Sequence, residues 1–197
     1  MRAFIALRLS PDVQSSLASL QQTLHASGAN VKWVEPRNLH VTMKFLGEIT
    51  EDQQRAVEAL LRRVASEEGS FLLGLEGVGA FPSVRAPRVI WAGISEGKDA
   101  VLRLAAAIER EGAGLLPKED LPAPRQQAGQ AGRPFAAHVT LGRVRSPRHR
   151  QELTRALQAA AWTPPPACQM SALTLYQSVL GSAGPTYTAL GEFPLKK

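Results

Sequence analysis

Two hydrophobic periods alternate along this chain of 197 residues. Phe4, Ile5, Ala6, Leu7 and Leu9 form a short apolar run broken only by Arg8, which predicts a buried strand. Ser10 and Pro11 then read as an N-cap with proline in the first helical turn. Val13, Leu17, Leu20 and Leu24 place one apolar stripe on the helix they open, and Gly28 closes it. Residues 30–34 and 38–46 read as strands on either side of the turn Glu35-Pro36-Arg37. A capping box, Thr50-Glu51-Asp52-Gln53, starts a second helix with Val57, Leu60, Leu61 and Val64 inward.

The second half repeats this alternation. Strands are predicted at 71–78 and 88–94, with Phe81 to Pro87 as an irregular, proline-bounded connection. Val101, Leu104, Ala105 and Ile108 mark a third helix, stopped by Gly112-Ala113-Gly114. From about 116 to 134 no period is visible, and Pro, Gly, Gln and Ala predominate, which predicts a long mobile loop. A strand over 135–144 follows. Ser146-Pro147 is expected to cap a fourth helix carrying Leu153, Ala156, Leu157 and Ala160, and strands at 170–180 and 186–193 are joined by a glycine-rich turn. The expectation is one α+β domain over 1–197, with two lobes of antiparallel sheet flanked by helices and an approximate twofold about a central cleft.

Composition narrows the setting. No apolar run spans a bilayer, and Arg2 and Arg8 interrupt any signal-peptide core, so a cytoplasmic protein with no membrane partner is expected. The lone Cys168 has no disulfide partner and no metal-ligand pattern around it. The net charge of +6, with arginines gathered from Arg125 to Arg150, favours a polyanionic partner. A monomer is the default.

Chemistry concentrates in one repeated tripeptide, His40-Val41-Thr42 and His138-Val139-Thr140. Histidine exchanges protons near neutrality, so a matched pair suits one general acid and one general base. Strand alternation places each histidine on the same face as its threonine, with the valines packing behind. If the two strands are neighbours, two imidazoles and two hydroxyls line one cleft, a site for a phosphodiester. No Asp, Glu, His or Cys cluster near either motif has zinc or magnesium spacing, so a metal-free mechanism is expected. Alternation also puts Lys44 on the face of His40 and Thr42, where it would contact phosphate or end the strand in solvent, and it puts Phe45 in the core. His25 and His149 read as exposed and outside the site.

The two motifs and their surroundings resemble the two-histidine (2H) phosphoesterase superfamily. In detail the likeness is to its bacterial and archaeal RNA 2′,3′-cyclic phosphodiesterases, also called 2′-5′ RNA ligases. It runs through Arg2-Ala3-Phe4-Ile5-Ala6-Leu7, Val34 to Gly47, Pro87 to Gly93, Pro134 to Arg143 and Leu175-Tyr176-Gln177-Ser178. It implies a two-lobed fold that hydrolyses a terminal 2′,3′-cyclic phosphate of RNA to a 2′-phosphate, without metal or nucleotide cofactor, in some members with 2′-5′ ligation. It also implies His40 as proton donor to the leaving 3′-oxygen, His138 as proton acceptor from water, and Thr42 and Thr140 as phosphate contacts. Arg143 would match a phosphate-contacting arginine, although strict alternation sends it to the face opposite His138 and a bulge is needed to bring it back. Tyr176 and Trp33 have a base-stacking use and a core use, and the pattern favours the core for both. Two other readings remain open: a phosphodiesterase of small cyclic nucleotides, and a non-catalytic RNA-binding module on the same fold.

Overall fold

The N-terminal apolar run forms β1 (Arg2–Arg8) in the computed structural model, which describes residues 1–114, 135–181 and 184–197. After it come α1 (Pro11–His25), β2 (Val31–Trp33), a 3-10 turn at Pro36–Asn38, β3 (His40–Glu48) and α2 (Glu51–Glu67). Next are β4 (Phe71–Leu73), β5 (Leu75–Ser83), β6 (Ala86–Ile94), α3 (Lys98–Gly112), β7 (His138–Val144) and α4 (Arg150–Ala159). The chain ends in β8 (Cys168–Met170), β9 (Ala172–Leu180) and β10 (Pro185–Pro194). Local chemistry explains the starts of the first two helices. The Ser10 hydroxyl accepts from the Val13 amide, and Thr50 and Gln53 exchange both bonds of the capping box.

Four expectations change. The connection expected at Phe81–Pro87 is strand on both sides of a turn at Val84-Arg85; β5 lies at the edge of the sheet, where Pro82 removes no needed ladder bond. The strand expected over 71–78 breaks at Gly74, and the one over 170–180 breaks at Ser171, so that β4 and β8 pair as a separate two-stranded sheet. The fourth helix starts at Arg150 rather than at Ser146-Pro147. His149 before it is left-handed (φ 53°), and Ser146 Oγ accepts from the Asn30 side chain instead of a helix amide. The loop expected at 116–134 lies outside the described residues.

The main sheet has the order β10-β9-β1-β3-β7-β6-β5, with β2 beside β7, and every pairing in it is antiparallel. It divides into two lobes, β10-β9-β1-β3 and β2-β7-β6-β5. They are joined where β3 meets β7 at one rung, Val41 opposite Val139. Two helices, α1 and α3, cross over between the lobes. Although α1 follows β1, its Gln21 bonds to backbone beside and within β7, whereas α3 follows β6 yet packs against α2 and β3. Ile5, Leu7, Leu17, Leu61, Ile90, Val101 and Leu153 belong to one continuous apolar core beneath the sheet. No helix among the described residues is long and apolar enough to cross a membrane.

Candidate active site

Because β3 and β7 run antiparallel with Val41 opposite Val139, the two tripeptides are related by a local twofold through that rung. The register places His40 across from Thr140 and Thr42 across from His138. The valines are fully buried behind the sheet, and the histidines and threonines share the opposite, partly open face. This is the juxtaposition expected from alternation.

Each imidazole is held by the same device. His40 donates Nδ1–H to the Asn38 carbonyl at 2.7 Å, and His138 donates Nδ1–H to the Ala136 carbonyl at 2.6 Å. A carbonyl can only accept, so both rings are fixed in the tautomer that leaves Nε2 free for chemistry. The Thr42 hydroxyl meets His40 Nε2 at 2.9 Å. Asn38 is itself buried and anchored, its amide donating to the Pro185 carbonyl at 3.0 Å, which ties the turn before β3 to β10.

Burial pushes the His40 imidazole down from 6.5 to about 4; the bond to Asn38 works against this, and the nearby His138 adds to it. His138 is likewise lowered, first by burial and further by Arg143, against the bond to Ala136. Both rings are therefore neutral near pH 7 in the free protein. Because they repel one another when charged, the pair takes up protons one at a time.

Aromatic rings form the floor. Phe4 is buried on the site face of β1, 4.9 Å from the His40 ring, stacked on Tyr176 at 5.2 Å and edge-on to Tyr187 at 4.8 Å. On the other side Phe81 stands edge-on to His138 at 5.2 Å and packs on Trp91 at 5.3 Å. Trp91 lies flat because Gly79 opposite it has no side chain; a Cβ there would come within 2.4 Å of the indole. Nothing in the sequence singles out Phe4, Tyr187, Phe81 and Trp91, since an aromatic in a strand looks the same on either face. Tyr176, read as core, lines the cavity beside His40, whereas Trp33 packs over Gly142 next to the core, as expected.

Two bulges decide which cations reach this face. On β7, Thr140 stands opposite Trp91 and Gly142 opposite Ile90, so Leu141 is an extra residue and the phase shifts by one. Arg143 returns to the face of His138, opposite Val89, as the resemblance requires. Its guanidinium Nη1 is buried with no hydrogen-bond partner among the described residues, and its charge acts on both Tyr187 and His138. On β3, Thr42 stands opposite Ala6 and Lys44 opposite Ile5, so Met43 is the extra residue. Here the shift works the other way. Lys44 turns to the helical side and pairs with Glu109 of α3 at 2.5 Å, and Phe45 comes round to meet Phe4 at 6.0 Å. Lys44 does not share the face of His40, and Phe45 is not core, because the extra residue Met43 reverses the alternation beyond Thr42.

Open cavities flank the pair. One of about 330 Å³ is bounded by Arg8, Arg37, Asn38, His40, Tyr176 and Tyr187; another of about 650 Å³ is bounded by Val78, Phe81, Trp91, Leu102, Phe135 and His138. His25 and His149 are exposed and elsewhere, His149 lying 3.9 Å from Glu152.

Residues 7–91 match the family model described as LigT like Phosphoesterase. The chain is 31% identical to an RNA 2′,3′-cyclic phosphodiesterase of Methanothermobacter thermautotrophicus over 99% of both chains. It is 35% identical to one of Aquifex aeolicus over 83% of this chain and 81% of the other. Among solved structures, a protein of Thermus thermophilus superposes with a TM-score of 0.77 at 31% identity, covering 100% of this chain and 98% of its own. LigT of E. coli shares the fold, with a TM-score of 0.71 at 24% identity over 100% of this chain and 98% of its own.

Proposed function

This chain belongs to the LigT-like phosphoesterase family, and we propose that it hydrolyses the 2′,3′-cyclic phosphate at an RNA end to a 2′-phosphate. The observation that carries the reading is Arg143. A buried guanidinium nitrogen without a partner among the described residues, on the face shared by two neutral imidazoles, is a costly arrangement that an anion would satisfy. Its planar donors suit two oxygens of one phosphate, with the Thr42 and Thr140 hydroxyls on the same face.

In the proposed step a water oxygen attacks phosphorus and passes its proton to His138 Nε2. The bond from phosphorus to O3′ breaks as His40 Nε2–H protonates that oxygen, leaving a 2′-phosphomonoester and a free 3′-hydroxyl. Both histidines are neutral in the free protein, so the base is ready; the substrate's negative charge raises the affinity of His40 for the acid's proton. Arg143 and the two hydroxyls stabilise the charge that builds on the non-bridging oxygens. No metal ion or second protein is part of this scheme. A ribose 5′-hydroxyl in place of water, lodged in the larger cavity beside His138, would make the same site form a 2′-5′ linkage.

The test is an oligoribonucleotide ending in a 2′,3′-cyclic phosphate, incubated with the protein in excess chelator and followed by phosphorus NMR. A 2′-phosphate end is expected. No turnover, or turnover only when a divalent metal is restored, rejects the mechanism. Comparing that oligomer with a mononucleoside 2′,3′-cyclic phosphate separates the RNA reading from the small-nucleotide one, and phosphate binding without turnover of either would leave a binding module.

A further inference from the structure

Arg143 reaches the site only because β7 carries an extra residue, and a bulge leaves backbone groups that the ladder does not satisfy. At this bulge the partners come from two directions, the residue that continues β2 in register with β7 and a side chain of α1. The Leu141 carbonyl accepts from the Val34 amide at 2.9 Å and from Gln21 Nε2 at 2.8 Å. The same Gln21 nitrogen also donates to the Val34 carbonyl at 2.8 Å. Both amide hydrogens of Gln21 are thus spent on the bulge and on the strand end beside it.

Gln21 is an odd residue for its position. It lies in the middle of α1, on the stripe of Val13, Leu17, Leu20 and Leu24, and is only 6% exposed. An apolar side chain would fill that place without the desolvation cost of a buried amide. From the opposite side β2 presses on the next residue: a Cβ on Gly142 would lie 2.7 Å from Val31 Cγ1 and 2.9 Å from the Trp33 ring. The bulge is therefore held between a glutamine above and a close-packed strand beside it.

We propose that Gln21 is a positioning residue that holds Arg143 on the catalytic face by clamping the bulge at Leu141. With the clamp removed, the Leu141 carbonyl loses one of its two donors, and β7 is freer to relax toward regular pairing with β6, which would carry Arg143 to the far face. The inference rests on the reading of Arg143 as a phosphate contact.

The test is a double-mutant cycle of Gln21→Met and Arg143→Ala, read as affinity for inorganic phosphate from the shift of the His40 and His138 ring protons, with unfolding midpoints measured separately. Gln21→Met is expected to weaken phosphate binding about 5- to 10-fold alone, the scale of one or two buried hydrogen bonds, and not at all in the Arg143→Ala background. It is also expected to lower kcat for the oligoribonucleotide, and to have no such effect in the Arg143→Ala background. Unchanged phosphate affinity in Gln21→Met, or an equal loss in both backgrounds, overturns the clamp while leaving the role of Arg143 intact. Unchanged affinity in Arg143→Ala alone overturns the phosphate role of Arg143, and the clamp with it. Should Gln21→Met not fold, Gly142→Ala loads the same bulge from β2 and is judged by the same two outcomes.

Discussion

Val41 and Val139 face each other at the one rung that joins β3 to β7, and neither touches solvent. They fix the relative position of the flanking histidines and threonines, which stand on the far side of the same two strands. The site's symmetry is thus a property of sheet register, with the apolar middle residue of each tripeptide serving as the pin.

Replacing either histidine by alanine is expected to lower kcat about 10²- to 10⁴-fold, the usual worth of a placed acid or base. Because the two act in one step, the double variant should be far less than multiplicatively worse. Single-turnover rates on the cyclic-phosphate oligomer check this. His25→Ala and His149→Ala serve as controls and should keep full activity.

The pH dependence should differ between the two kinetic parameters. In the free protein His40 is held at about 4 and His138 below its ordinary value, so the singly protonated pair is most populated below about pH 6.5. The optimum of kcat/KM, which reports free protein, is therefore expected there. In the complex the substrate anion raises both groups, and the optimum of kcat should lie at higher pH. Superimposed profiles would count against an anion bound between the imidazoles.

Arg143 should trade stability for affinity. Removing a half-buried cation, one of whose nitrogens is buried without a partner among the described residues, by Arg143→Leu is expected to stabilise the free protein by about 1–2 kcal/mol. At this chain length that corresponds to a rise in Tm of roughly 2–8 °C. Turnover should fall about 10²-fold. A variant that is both less stable and fully active would contradict the assignment.

Lys44→Met should leave KM unchanged, since the ammonium is engaged by Glu109 on the helical side. A rise in KM comparable with that of Arg143→Ala would return Lys44 to the phosphate site.

Much of this site was legible in the sequence. The repeated tripeptide names both histidines and both threonines, and strand alternation places each pair on one face without any structural knowledge. Alternation fails only where the backbone slips. Met43 and Leu141 carry no sequence mark of a bulge, being ordinary strand residues, yet the first sends Lys44 away from the site and the second brings Arg143 into it. The tethers of the imidazoles are equally invisible, because Asn38 and Ala136 contribute backbone carbonyls that any residue would supply. The apolar stripes of α1, α2 and α3 are legible from their period, and in α1 and α2 a capping side chain agrees with it. The start of α4 is not legible, because Ser146-Pro147 looks like a helix cap but leads into a turn closed by the Arg150 amide on the Pro147 carbonyl.

The crossing of α1 and α3 between the lobes has a consequence for how the molecule is made. Each lobe is covered by a helix that the chain supplies while building the other, so neither half of the polypeptide is a self-sufficient folding unit. Val41 and Val139 come from opposite halves of the chain, so the seam between the lobes is built from distant contacts, the kind whose loop closure slows folding. Once assembled, the exchanged helices act as a double latch across the seam, and the two histidine strands cannot be separated by a simple hinge.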